Sequence, residues 1–260
     1  MSSKFLKLVL FIYKSNKIVM ITKAQVKHIQ SLEDKKYRYK CNEFVVEGEK
    51  MVQELINSSL TINCIYATKD WIEKNPMLKN ILIEEIQSFE LEKMSSLSTP
   101  NMVLAIVQIP ANTPISPKGV SIVLDRIQDP GNLGSIIRIA DWFGINTVYC
   151  SEDTVDVYNS KVVQASMGSV FRIKTQYSNI EHLLAANKQI PSYVAILKGE
   201  NITSHKAIQE GFIIIGNESK GVSDSIINLS THKISIPRKG QAESLNAAIA
   251  TGIICHSLLS

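Results

Sequence analysis

None of the four cysteines, at positions 41, 64, 150 and 255, forms a C-x-x-C pair, and no histidine cluster accompanies them. That spacing excludes a zinc ribbon and a disulfide framework, and no metal is expected. It fits reduced, mostly buried thiols in a cytoplasmic protein. Glycines at G-x-G-x-x-G or G-x-x-x-x-G-K-[ST] spacing are also missing, which disfavours Rossmann dinucleotide and P-loop nucleotide sites. The apolar stretch "FLKLVLFIY" near the N-terminus is too short to span a bilayer, contains a lysine and precedes no small-x-small cleavage site. Residues 1–19 are therefore expected to be an extension outside the fold, with translation starting at Met20, where "MITKAQVKHIQSL" reads as a domain start. No strong charge imbalance exists: a net +4 and a pI near 8.7 suit a nucleic-acid partner without requiring one.

The composition, 45% hydrophobic over 260 residues, supports a sizeable core in one large domain or two smaller ones. "IPANTPISPKG" (Ile109–Gly119) holds three prolines between two strand-like runs and reads as an extended linker. Division there leaves a small α/β domain (20–108), a linker (109–118) and a larger domain (119–260). In the first, "KAQVKHIQSLEDKKYR" reads as a helix. A short strand at Phe44–Val46 then runs into an amphipathic helix carrying Val52, Leu55 and Ile56 on one face, and "INCIYAT" and "MVLAIVQI" add strands. Lys35, Lys36, Arg38 and Lys40, interleaved with Tyr37 and Tyr39, would suit a phosphate backbone and a stacked base, or form a solvated helix end. The second domain alternates strand-like runs, "SIVLD", "NTVYC", "VFRIKT", "SYVAILKG", "GFIIIG" and "HKISIP", with helical or loop segments. Continuous apolar runs of this kind predict a buried parallel sheet flanked by helices, in which ligands bind beyond the carboxyl ends of strands.

Three segments follow such ends. In "DRIQDPGNLGSIIRIADWFGI", Pro130, Gly131 and Gly134 predict a stiff turn. Ile136, Ile139, Ala140 and Phe143 predict a buried helical stripe, and Gly144 predicts its C-terminal stop. Arg138 falls off that stripe, as a surface arginine paired with Asp141 or as a functional group. In "GFIIIGNESKGVSDSIINLS", Gly216 permits close backbone approach, Glu218 is a candidate acceptor and Ser223 a candidate helix cap. In "ISIPRKGQAESLNAAIATGI", Ser244, Leu245 and Asn246 lead into a helix of small residues suited to close packing within the chain or across a dimer.

Together and in this order, "DRIQDPGNLGSIIRIADWFG", "IIIGNESKGVS" and "ISIPRKGQAESLNAAIATGI" resemble the three motifs of the SpoU (TrmH-like) branch of the SPOUT RNA methyltransferases. "FVVEGEKMVQELI" and "STPNMVLAIV" resemble, more loosely, that family's RNA-binding domain. Ser219 and Met102 depart from the small residues common at those places. The resemblance implies an α/β domain with a trefoil knot, a rare exception to the rule against threaded loops. It also implies homodimers with the active site near the interface, and S-adenosylmethionine as cofactor, held by backbone around Gly199, Gly216, Ile236 and Leu245. Asn132, Arg138, Glu218, Ser244 and Asn246 would form the polar catalytic cluster, transferring a methyl group to a ribose 2′-hydroxyl of structured RNA, ribosomal RNA ahead of transfer RNA. A non-catalytic RNA-binding factor with the same fold is the rival. It would have no need of that polar set.

Overall fold

The computed structural model describes residues 20–76 and 81–260; the expected extension at 1–19 lies outside them. The described residues form two sheets. The first is built from α1 (Lys23–Ser31), α2 (Lys35–Cys41), β1 (Glu43–Glu47), α3 (Glu49–Ile56), β2 (Ile62–Ala67), α4 (Lys69–Lys74), β3 (Ile83–Glu85), α5 (Ser88–Met94) and β4 (Val103–Gln108). Its strand order is β1-β4-β2-β3, with β4 antiparallel to both β1 and β2. Alternation decides its faces. Phe44, Val46, Val103, Ala105 and Val107 point into one buried cluster, and Val45, Leu104 and Ile106 into another with Ile29 and Leu91.

One helix was expected over 23–38, but two form. Thr22 and Gln25 make a capping box for α1, and the Asp34 side chain accepts from Lys36 N at 2.7 Å to start α2 in a new direction. That break turns Arg38 inward, so the expected basic cluster is divided: Arg38 is buried, while Lys35, Lys36 and Lys40 stay exposed.

The second sheet comprises β5 (Val120–Asp125), β6 (Thr147–Cys150), β7 (Lys174–Tyr177), β8 (Ser192–Asn201), β9 (Gly211–Gly216) and β10 (His232–Ser235). All its pairings are parallel, in the order β10-β8-β9-β5-β6-β7. Between them lie α6 (Pro130–Trp142), α7 (Ser160–Ser166), α8 (Ile180–Ala186) and α9 (Asp224–Leu229), and α10 (Ala247–Leu259) follows β10. Ile122, Leu124, Ile213 and Ile215 share a core with α6, α7 and α10. Val123, Phe212 and Ile214 face α8 and α9. Both faces are therefore covered, as the unbroken apolar runs predict.

Two expectations need correction here. "DPGNLG" is not a turn ahead of the helix: Pro130 is already its first residue, with Asp129 accepting from Asn132 N at 2.7 Å as the cap. Gly134 packs inside α6, where an added Cβ would meet Ala165 Cβ at 2.5 Å. Likewise the strand expected at "VFRIKT" starts at Lys174, because Ser169–Phe171 is a 3₁₀ turn that Gly168 opens at a φ of +92°. Of the four cysteines, Cys41 alone is exposed.

The two sheets are joined by buried contacts. Arg38 donates to Asp156 Oδ2 from Nη2 (2.6 Å) and Nε (2.9 Å), with side chains 2% and 4% exposed. Tyr39 OH donates to Asp156 Oδ1 at 2.9 Å, and Phe44 packs on Tyr158. Burial, and Asp156 beside it, push the Tyr39 phenol above its ordinary range.

Candidate active site

Because the second sheet is parallel, the loops after β5, β8, β9 and β10 emerge at one end, and the strand order brings all four side by side. Two partly buried anchors fix the loop after β9 to the loop after β5. Asp125, 3% exposed, accepts from Ser223 N (2.7 Å) and Ser223 Oγ (2.5 Å). Asn217 Nδ2 donates to Arg126 O at 2.9 Å, while its Oδ1 accepts from Ser219 N and Lys220 N. Arg126 itself sits at a φ of +60°, a costly conformation for a residue with a side chain. Ser223 is the expected N-cap by position, but its hydroxyl is committed to Asp125 rather than to the helix.

These anchors place Glu218 against α6. Asn132 Nδ2, from the first turn of α6, donates to Glu218 Oε1 at 2.5 Å. Asn132 Oδ1 accepts from Asn246 Nδ2 at 2.7 Å. Asn246 in turn caps α10, its Oδ1 accepting from Ala248 N and Ile249 N. Three of the five expected catalytic residues thus form one hydrogen-bonded row, drawn from all three motifs. Ser244 lies exposed two residues before Asn246 and joins no side-chain hydrogen bond among the described residues.

Arg138 is not part of that row. It lies six residues along α6 from Asn132, roughly 240° around the helix, and opens onto a different concavity. Nor does it pair with Asp141, the bland alternative. Asp141 Oδ2 accepts from Ser169 Oγ (2.7 Å) and from Arg172 Nη2 (2.7 Å) and Nε (3.0 Å). Burial alone would raise the Asp141 carboxyl, but these bonds and the Arg172 charge hold it below its ordinary value. Asn132 and Asn246 instead border an open groove of about 730 Å³ between α6 and α10, with Ile139, Ile249 and Gly252. Leu245, Ile249 and Ile253, four residues apart along α10 and its N-terminal approach, are exposed apolar residues, 45%, 56% and 40% accessible, and Ile249 reaches the groove.

The four expected cofactor-holding positions fall at the ends of β8, β9 and β10 or in the loop before α10. Gly199 and Gly216 are required by the chain itself. A Cβ on Gly199 would lie 2.5 Å from the Ile234 carbonyl carbon, and one on Gly216 2.3 Å from that of Gly221. β8 also jumps register against β10, pairing Val194 with Lys233 and Glu200 with Ile234, so Ala195–Gly199 bows out of the ladder. Ile236 is partly buried and Leu245 half-exposed, supplying apolar surface beside unpaired loop backbone. Apolar side chains beside peptide groups are the chemistry that an adenosine-containing ligand takes. Among the described residues no cluster of three or more His, Cys, Asp or Glu is placed to hold a metal, and no helix is long and apolar enough to cross a membrane.

Comparison with known proteins decides the family. Residues 119–256 match the model of the SpoU rRNA Methylase family, and residues 23–105 match the MRM3-like substrate binding domain. The chain belongs to the SpoU rRNA methylase family. Across 247 residues it is 29% identical to the 23S rRNA (guanosine(2553)-2′-O)-methyltransferase RlmP of Bacillus subtilis, covering 90% of this chain and 95% of that protein. A solved TrmH-family structure from Porphyromonas gingivalis superposes with a TM-score of 0.85 at 32% identity, covering 93% of this chain and 99% of that one. An AdoMet-bound rRNA methyltransferase from Sinorhizobium meliloti gives 0.82 at 27% identity, covering 92% and 96%. Asp125 and Asn217, which hold the SpoU loops together, carry the signal of a strand-ending acid and a turn asparagine. Neither stood out from sequence as part of the site.

Proposed function

We propose that this protein transfers the methyl group of S-adenosylmethionine to a ribose 2′-hydroxyl of RNA, with ribosomal RNA as substrate. The observation that carries it is the hydrogen-bonded row Asn246–Asn132–Glu218, which joins the three SpoU motifs beside strand-end loops suited to an adenosine-containing cofactor. The sulfonium methyl is itself the electrophile, so the chemical demand on the chain is alignment and charge stabilisation. Backbone around Gly199, Gly216, Ile236 and Leu245 holds the cofactor, at the ends of β8, β9 and β10 and in the loop before α10.

Asn132, itself held by Asn246, donates to Glu218 Oε1, leaving Oε2 to accept the 2′-hydroxyl proton or a ribose hydroxyl. Ser244, exposed two residues before Asn246, orients ribose or phosphate. Arg138 offers five N–H donors and no acceptor. It grips phosphate and stabilises negative charge on the attacking oxygen rather than acting as a base.

Because Arg138 and the Asn132 row lie on different sides of α6, a complete site needs two copies of the chain. The open groove and the Leu245–Ile249–Ile253 row supply the surface for the second copy. RlmP acts on 23S rRNA by name, and its likeness runs through the N-terminal domain as well, which favours ribosomal over transfer RNA.

The test is methyl transfer from labelled S-adenosylmethionine into total RNA of a strain lacking the gene, followed by mapping of 2′-O-methyl sites. Wild type should label one ribose, and Arg138→Ala should abolish transfer while keeping cofactor affinity. Near-wild-type turnover by Arg138→Ala would remove the role given to it. Absence of both labelling and cofactor binding would leave an RNA-binding protein without catalysis.

A further inference from the structure

A cleft of about 810 Å³ separates α3 and α4 of the N-terminal sheet from the second half of α6 and the turn after α7, with Lys50, Glu54, Trp71, Arg138, Trp142 and Arg172 in its lining. A lone exposed apolar residue carries no meaning by itself. Trp142 is a different case. It is 85% exposed although it faces a concavity, the highest value among the large apolar residues described. It stands four residues after Arg138, so the two side chains are neighbours on one face of α6. Lys50 approaches from the opposite wall, and neither Lys50 nor Arg138 pairs with a carboxylate among the described residues. Arg172 bridges the two walls, donating to Glu54 Oε2 (2.6 Å) and to Asp141 Oδ2, which holds the cleft at a set width.

We propose that this cleft is the path of the RNA strand next to the methylated ribose, and that Trp142 is the platform on which an unpaired base of that strand stacks. The inference rests on the assignment of Arg138 above. Single-stranded RNA is recognised through bases splayed onto aromatic rings with cations along the phosphates, and the cleft offers one such ring flanked by two unpaired cations. A second copy of the chain, which the site needs at Arg138, is a poor occupant of the space around Trp142. Interface cores are depleted of charge, whereas Trp142 sits among Lys50, Glu54, Asp141 and Arg172 and apart from the apolar row on α10.

The chain's two tryptophans make the test direct, because Trp71 is 1% exposed and Trp142 alone is open to solvent. Titration with a mixed-sequence single-stranded RNA of roughly ten nucleotides should quench Trp142 emission and shield it from acrylamide. Trp142→Phe should remove that signal. In methyl transfer, Trp142→Ala should raise the KM for RNA by roughly 5- to 150-fold, the range expected for one stacked base. Trp142→Phe should lose less, and cofactor affinity and kcat should stay close to wild type. An unchanged KM in Trp142→Ala, with wild type active, overturns this inference alone. So does RNA binding that leaves Trp142 emission and acrylamide access unaltered. Trp142 already shielded without RNA, with Trp142→Ala shifting the oligomeric state, would give the surface to a second copy and likewise overturn it. A wild type that transfers no methyl but whose Trp142 is quenched by RNA would retain the RNA contact and refute the methyltransferase reading instead.

Discussion

Removal of the Asp156 carboxylate should uncouple the two sheets. In Asp156→Ala, Arg38 keeps its bonds from Nη1 to Leu32 O (2.7 Å) and Glu33 O (2.8 Å) but loses both contacts to Oδ2, and Tyr39 loses its acceptor. A guanidinium 2% exposed would then stay buried without its counter-charge. Breaking a buried pair by deleting one partner costs about 3–5 kcal/mol, which at ~1.4 kcal/mol per tenfold lowers the folding constant by a factor between ~10² and ~10³·⁵. Replacing both partners with apolar residues of similar volume, Arg38→Met with Asp156→Leu, should cost far less than the two single changes added together, because the double variant strands no charge. Urea unfolding reports this, with emission of the buried Trp71 following the first domain and far-UV circular dichroism following both. Wild type should unfold in one transition and Asp156→Ala in two, with Trp71 leading. A single-variant loss below about 1 kcal/mol, or strict additivity in the cycle, would refute the claim that this pair couples the domains.

Three further outcomes are expected. Gly134→Ala should lower stability by about 1–3 kcal/mol despite alanine's better helix propensity, since the new methyl would lie 2.7 Å from Val162 O; a gain in Tm would contradict it. Asn246→Ala should lose about 1 kcal/mol of helix capping together with most of kcat. Asn246→Asp, which restores the cap acceptor but not the donor to Asn132, should recover stability in denaturant titration without recovering activity. Asp141 has a lowered folded-state pKa, so its contribution is present above the unfolded value of about 3.9 and disappears as pH falls through the folded value. The Tm difference between wild type and Asp141→Asn should therefore shrink on acidification below about pH 4, and a constant gap from neutral to strongly acid pH would count against the Arg172–Asp141 bond.

Much of the second sheet was legible because its central strands are unbroken apolar runs. "GFIIIG" is buried on both faces and stands as the strand Gly211–Gly216. "VFRIKT" misled for a related reason: Val170, Phe171 and Ile173 are buried, but within a turn opened by a left-handed glycine that no periodicity reveals. Arg38 was unreadable as a structural residue, since its partner lies 118 positions away in sequence. At the site, the identities of Asn132, Glu218 and Asn246 were readable from motif order and their mutual bonds were not. The placement of Arg138 on the far side of α6 depends on where the helix starts, and that start moved forward when Pro130 proved to be its first residue.

The row of bonds at the site also has a direction. Backbone N–H groups at the start of α10 point to Asn246, Asn246 points its N–H to Asn132, and Asn132 points its own to Glu218. Every dipole is aligned the same way, so neither amide can flip without facing donor to donor or acceptor to acceptor. Only a group that accepts can terminate such a row, and a carboxylate does so with either oxygen and one oxygen to spare. A glutamine at position 218 would close the row only in one orientation and would turn an N–H toward the groove where Glu218 presents an acceptor. The two asparagines therefore act as a polarity filter, setting the hydrogen-bonding sense of the site before any ligand arrives.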